Sequence, residues 1–176
     1  MTAQRGAALV AFCERMYPRL VGTLTLQCGD AELAKDVAQE ALTRAWQHWG
    51  RVSHYDSPDA WVFRVALNLS TSRFRRATRE RRAIAEVAAR PAANAADETD
   101  RIAIREAVLS LPPRQRAALV LRFFADMPVD EVARAMDCAP GTVKSLTAKA
   151  IDSLRTRLGL VIEEDARHDG HPRATA

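Results

Sequence analysis

Aromatic residues are scarce in this chain, at 6% of 176 residues, and cysteine is limited to Cys13, Cys28 and Cys138. Three scattered cysteines, an odd number, build neither a disulfide framework nor a zinc-ligand pattern. The four histidines fall at 48, 54, 168 and 171 and do not pair with cysteines at ligand spacing. No run of 18 apolar residues exists, so no membrane span is expected. The N-terminus lacks a basic-then-apolar leader, which points to a cytoplasmic protein. There is also no Walker loop, no cluster of carboxylates and no activated nucleophile, which argues against an enzyme, a metal or a cofactor. What is abundant is alanine: 33 residues within an apolar fraction of 48%. Alanine is the best helix former and a poor strand filler, so an all-α protein is predicted. A net charge of +4 and a pI near 9.3 point mildly to a polyanionic partner.

Apolar periodicity divides the chain. Leu9, Phe12, Cys13, Met16, Leu20 and Leu24 form one stripe, predicting a helix over 9–27 that kinks or restarts at Pro18. Asp30 is placed to cap a second helix over 31–49, with rows Leu33-Val37-Ala41-Ala45 and Ala34-Ala38-Leu42-Trp46, and Gly50 is its expected terminator. Ser57 followed by Pro58 starts a third helix, over 58–82. Residues 84–101 change character: alanine dominates, Pro91 interrupts, and few large apolar residues occur. That composition predicts a flexible linker between a domain at 1–83 and another at 102–158. The second domain is expected to hold helices over 113–125, 128–136 and 140–158, followed by a disordered tail at 159–176.

Three constellations carry functional signal. The first is the pair of helices at 128–158. Val129, Val132, Ala133 and Met136 line one helix; Val143, Thr147, Ala150 and Leu154 line the next. Two short helices around a tight turn form a helix-turn-helix, whose second helix enters the DNA major groove. Its outward face offers Thr142, Lys144, Ser145 and Lys149, able to reach phosphates and base edges. The second signal is the stretch from Arg64 to Arg82, with seven arginines against one acid. Trp61, Phe63 and Phe74 are interleaved, and Tyr55 precedes them. Cations with aromatics suit single-stranded nucleic acid, because unpaired bases stack; the plainer alternative is that Trp61 and Phe63 belong to the core. The third signal is Asp36, Gln39, Glu40 and Thr43, which share one helical stripe. By spacing alone that stripe reads as solvated surface.

These blocks resemble a known family. Tyr17-Pro18-Arg19-Leu20, Asp36-Val37-Ala38-Gln39-Glu40-Ala41, Arg44-Ala45-Trp46, Ala60-Trp61-Val62-Phe63-Arg64-Val65-Ala66-Leu67-Asn68 and Arg75-Arg76 resemble sigma region 2. Leu111-Pro112-Pro113-Arg114-Gln115-Arg116, Leu121-Arg122, Asp130-Glu131-Val132-Ala133 and Pro140-Gly141-Thr142-Val143-Lys144-Ser145 resemble region 4. The chain is thus similar, over about 8–82 and 102–158, to RNA polymerase sigma factors of the extracytoplasmic-function (ECF) type. The resemblance implies promoter-specific transcription initiation on core RNA polymerase, without bond chemistry. It implies that Asp36, Gln39, Glu40 and Thr43 dock on the polymerase β′ coiled coil. It implies that Tyr55, Asp56, Trp61, Arg64, Asn68 and Ser72 open the −10 element and hold a flipped base, with Arg73, Arg75 and Arg76 on the phosphates. Thr142, Lys144, Ser145, Leu146 and Lys149 match positions that contact the −35 element, and 119–124 would lie near the β flap. An anti-sigma factor is a further implied partner.

Three residues depart from the family pattern. Leu146 stands where relatives often carry a polar base reader. Asp137 occupies a turn position that favours glycine, and Ala139 replaces a serine cap. A stand-alone helix-turn-helix regulator is the alternative reading. It leaves the arginine-rich helix and the Asp36 stripe without a role.

Overall fold

The computed structural model describes the backbone of residues 3–84 and 96–159 and the side chains of 5–71 and 102–159. These residues are helical throughout, with no strand among them. The first group of helices is α1 (Ala3–Cys28), α2 (Ala31–Gln47), the single turn α3 (Trp49–Val52) and α4 (Pro58–Ile84). The second is α5 (Ala96–Ser110), α6 (Pro113–Phe123), α7 (Val129–Met136) and α8 (Pro140–Leu158).

Local chemistry sets the boundaries. Asp30 accepts hydrogen bonds from the Glu32 and Leu33 amides at 3.0 Å, satisfying two orphan donors at the start of α2. The Ser57 hydroxyl accepts from the Ala60 amide at 3.2 Å, and Pro58 takes the position where a missing N–H costs nothing. Two boundaries differ from the pattern-based expectation. Helix α1 does not restart at Pro18, because the buried Met16, Leu20 and Leu24 hold both sides of it on one seam. Helix α2 ends at His48, and Gly50 lies inside the following turn, where its carbonyl accepts from Arg5 at 3.1 Å. Helix α5 begins at Ala96, within the stretch expected as linker; Asp97 and Glu98 in its first turn complement the helix dipole. The remainder of that stretch, and the tail beyond Gly159, lie outside the described residues.

The first core forms where α1, α2 and α4 meet. Ala34, Ala38, Ala41 and Ala45 are fully buried on α2, and their small size lets the backbones approach closely. Met16, Leu20, Leu24, Val37, Val62 and Phe63 fill the space between. Helix α3 closes one end, with Trp49 stacked at 4.9 Å on Phe12. In the second group, Ala118, Leu121, Val132, Val143 and Ala150 are buried between α6, α7 and α8. The two cores are continuous. Leu121, Met127, Val132 and Val143 belong to the same apolar cluster as Met16 and Phe63, because α4 packs on α7 and α1 packs on α5 and α6.

The turn between α7 and α8 has a defined geometry. Asp137 adopts a left-handed conformation (φ 52°, ψ 56°), and the Cys138 amide reaches back to the Ala133 carbonyl at 3.0 Å. This is a Schellman-type stop, usually made with glycine. Ala139 then has the extended backbone of a helix cap (φ −71°, ψ 149°) but no side-chain acceptor. Ala139→Ser supplies that acceptor. The substitution is expected to stabilise the protein by about 1 kcal/mol and to raise the thermal midpoint by about 2–4 °C in a calorimetric scan. An unchanged or lower midpoint contradicts the capping argument.

Candidate polymerase and nucleic-acid interfaces

Three surfaces emerge from the helices. The first is a groove between α1 and α2 of about 680 Å³, with Gln39 and Thr43 on one wall and Leu9, Val10, Cys13 and Tyr17 on the other. Trp46 is 58% exposed and Val10 57% exposed at this groove. The pattern-based row had placed Trp46 with the buried positions of α2. Its helical angle instead leaves it at the edge of the stripe, beyond the reach of α1 and α4. Of the four predicted docking residues, Gln39 and Thr43 line the groove and Asp36 is exposed on the same helix. Glu40 is half-buried and pairs with Arg44 at 3.0 Å.

The second surface is the start of α4. Trp61, Arg64 and Asn68 recur at helical spacing on one side, while Val62, Phe63 and Ala66 point into the core. Phe63 is therefore a core residue, with the Arg19 guanidinium 5.9 Å from its ring. Tyr55 leans on Trp61 with ring centroids 6.4 Å apart. Tyr55, Asp56, Trp61 and Arg64 line one side of a cavity of about 630 Å³. Arg64 and Asn68 line a neighbouring one of about 370 Å³. In both cavities the opposite wall comes from the second group: Asp130, Arg134, Asp137 and Cys138 in one, Pro113, Ala135 and Met136 in the other. Arg64 bonds to the Asp137 carboxylate at 2.8 Å. Ser72, Arg73, Arg75 and Arg76 lie on α4, and their side chains are outside those described.

The third surface is the outer face of α8. Thr142, Lys144, Ser145 and Lys149 are exposed together near its N-terminus, where free backbone amides and the helix dipole also favour anions. Leu146 is half-buried, turned partly toward the packing side. The α8 face is open, whereas the α4 face is covered by α7.

Sequence patterns missed one ionic cluster. Asp59, in the first turn of α4, receives both Arg15 nitrogens at 2.6 and 2.8 Å and Arg19 at 2.7 Å. A local reading sees Asp59 only as a dipole-complementing acid. Its partners lie 44 and 40 residues upstream. Burial pushes the Asp59 carboxyl up, but the two arginines outweigh it and hold the group below its usual range. Burial raises the Cys28 thiol to about 11 and also raises that of Cys13, so neither is poised as a nucleophile. No metal-holding cluster and no helix able to cross a membrane occurs among the described residues.

An open helix-turn-helix reading face, joined to a second helical unit with its own cationic helix, defines a DNA-binding transcription protein. The comparisons sharpen that class. Residues 12–80 match the family description Sigma-70 region 2, and residues 101–154 match Sigma-70, region 4. The chain is 34% identical over 137 residues to the ECF RNA polymerase sigma factor SigL of Mycobacterium tuberculosis (strain ATCC 25618 / H37Rv), covering 74% of this chain and 77% of the relative. It is 31% identical over 126 residues to the RNA polymerase sigma-E factor of Streptomyces coelicolor, covering 71% of each. Among solved structures, the sigma factor RpoE in complex with the anti-sigma factor NepR from Bartonella quintana aligns with a TM-score of 0.68 at 25% identity. That alignment covers 84% of this chain and 94% of the other. The fold is shared with CnrH (TM-score 0.63, 22% identity, covering 88% and 89%). The chain belongs to the ECF sigma factors of the sigma-70 family.

The Asp59 cluster generates a pH prediction. A carboxyl held below its unfolded value stabilises the fold above about pH 4 and loses that contribution as pH falls through the folded pKa. Asp59→Asn is expected to destabilise the protein by about 1–2 kcal/mol at pH 7, since half-exposed Arg15 limits the gain. The gap to wild type should narrow as pH falls from 7 to 3 in urea titrations. A gap that is constant with pH contradicts the ionic account.

Proposed function

We propose that this chain binds core RNA polymerase and directs it to promoters whose −35 and −10 elements it reads with different units. Residues 1–83 and 102–158 act as those units, with 84–101 as their connection. The observation that carries the docking half is the α1–α2 groove. An exposed tryptophan and valine beside Asp36, Gln39 and Thr43 make an apolar surface with a polar rim, the composition of an interface core. A polymerase β′ coiled coil is a helical partner suited to such a groove, and the β flap is proposed to meet 119–124, where Phe123 and Phe124 are exposed.

For the −35 element, Lys144 and Lys149 supply charge while Thr142 and Ser145 supply hydrogen bonds. Leu146 offers apolar contact to a thymine methyl on one flank. For the −10 element, Arg64 and Asn68 provide hydrogen bonds, and Tyr55 and Trp61 provide stacking for an unpaired base. Asp56 and Ser72 border this face, and Arg73, Arg75 and Arg76 extend it along the phosphates. Extruding a base costs a few kcal/mol, so a wall and hydrogen-bond partners are both required. The protein performs no bond chemistry in this reading and works in the cytoplasm. An anti-sigma factor is a proposed regulatory partner.

The test is co-elution of the purified chain with sigma-free bacterial core polymerase, in the absence of DNA. Wild type is expected to co-elute. Asp36→Ala/Gln39→Ala, with an unchanged thermal midpoint, is expected to lose at least about tenfold in affinity, as for hot-spot truncations. Failure of wild type to bind core would favour a stand-alone DNA-binding regulator.

A further inference from the structure

The face of α4 proposed to hold the −10 strand is shut by the chain's own second unit. Arg64 pairs with Asp137 at 2.8 Å, and α7 forms the far wall of both cavities that Arg64 lines. Further bonds cross between the units at other points. Arg19 donates to the Ala125 carbonyl at 2.8 Å, Arg116 to the Gln27 carbonyl at 2.7 Å and Arg105 to the Gly29 carbonyl at 3.1 Å. The Phe124 ring lies over Gly22 so closely that a Cβ there would meet it at 2.8 Å.

Asp137 carries a second, independent oddity. It is a non-glycine residue in the left-handed region at a turn position suited to glycine. Such a conformation is retained when something else needs the side chain. The side chain here places a carboxylate on an arginine of the strand-reading face, where a nucleic-acid phosphate would otherwise sit.

We propose that Asp137 is a phosphate mimic that latches the helix-turn-helix unit over the −10-reading face, so that the closed form and single-stranded DNA compete for Arg64. The proposal rests on the assignment of α4 to strand reading. Opening exposes Arg64, Asn68, Tyr55 and Trp61 together. It also frees α8, whose lysine face is open in both forms, to reach a separate site on DNA.

The test uses the full chain and four proteins: wild type, Asp137→Asn, Gly22→Leu and Asp152→Asn. Asparagine tolerates the left-handed turn but removes the charge. Leucine at 22 displaces the Phe124 ring and changes no charge. Asp152→Asn makes the same charge change on α8, away from the interface. Small-angle scattering reads the closed-to-open ratio without DNA, and anisotropy reads binding of a fluorescein-labelled 12-mer single strand of mixed A/T sequence. Asp137→Asn and Gly22→Leu are expected to give a larger radius of gyration and about two- to fivefold tighter binding, and Asp152→Asn neither. A radius unchanged in both variants overturns the latch. Tighter binding of Asp137→Asn at an unchanged radius also overturns it, since charge alone then accounts for the gain. If both variants expand yet no protein binds the strand, the strand-reading assignment fails while the scattering result still establishes the closed form.

Discussion

Helix α4 has two packed sides along its first three turns, and the rest of the molecule is arranged around that constraint. One side buries Val62, Phe63 and Ala66 against α1 and α2. The other presents Trp61, Arg64 and Asn68 to α7. The apolar side anchors the helix so that the polar side keeps a fixed spacing. Asp59, clamped by Arg15 and Arg19, fixes the angle at which α4 leaves its N-terminus. The same Arg19 reaches the Ala125 carbonyl of the second unit. The first unit's fold and the docking of the second therefore share one cationic residue.

The closed arrangement is held by many small terms. The Arg64–Asp137 pair is 44% and 74% exposed, so water and salt screen it, and such a pair contributes about 0–1 kcal/mol. The crossing arginine-to-carbonyl bonds are half-buried and depend less on salt. Apolar burial around Leu121, Met127 and Val132 joins the units into one cluster. A latch of this kind gives way to a partner with modest differential affinity for the open form. Core polymerase, engaging the distant α1–α2 groove and the 119–124 region at once, is suited to supply it.

Much of this was legible in the sequence because the determinants are local. The Asp30 and Ser57 caps, the Pro58 start, the amphipathic stripes and the helix-turn-helix all rest on residues within a few positions of one another. The family blocks lie in the same order, and the exposed face of α8 holds the residues that the spacing put there. What was not legible depends on distance. Phe63 lay within the arginine-aromatic stretch and turned inward, because α1 and α2 arrive on that side. Trp46 fell in an apolar row yet stayed exposed, since no helix covers the edge it occupies. Asp59 looked like a simple first-turn acid because its arginines are on another helix. The packing of α4 on α7 joins residues some 70 positions apart in sequence, as Arg64 and Asp137 are, and linker composition carries no trace of it.

The central claim is that the two units are closed over the α4 face in the free protein and separate on the polymerase. The most direct measurement is the distance between a spin label on α2 and one on α8, by pulsed electron resonance, free and bound to core enzyme. A single narrow short distance in the free protein, replaced by a long one on core, is the result this account predicts. The same broad distribution in both states would contradict it.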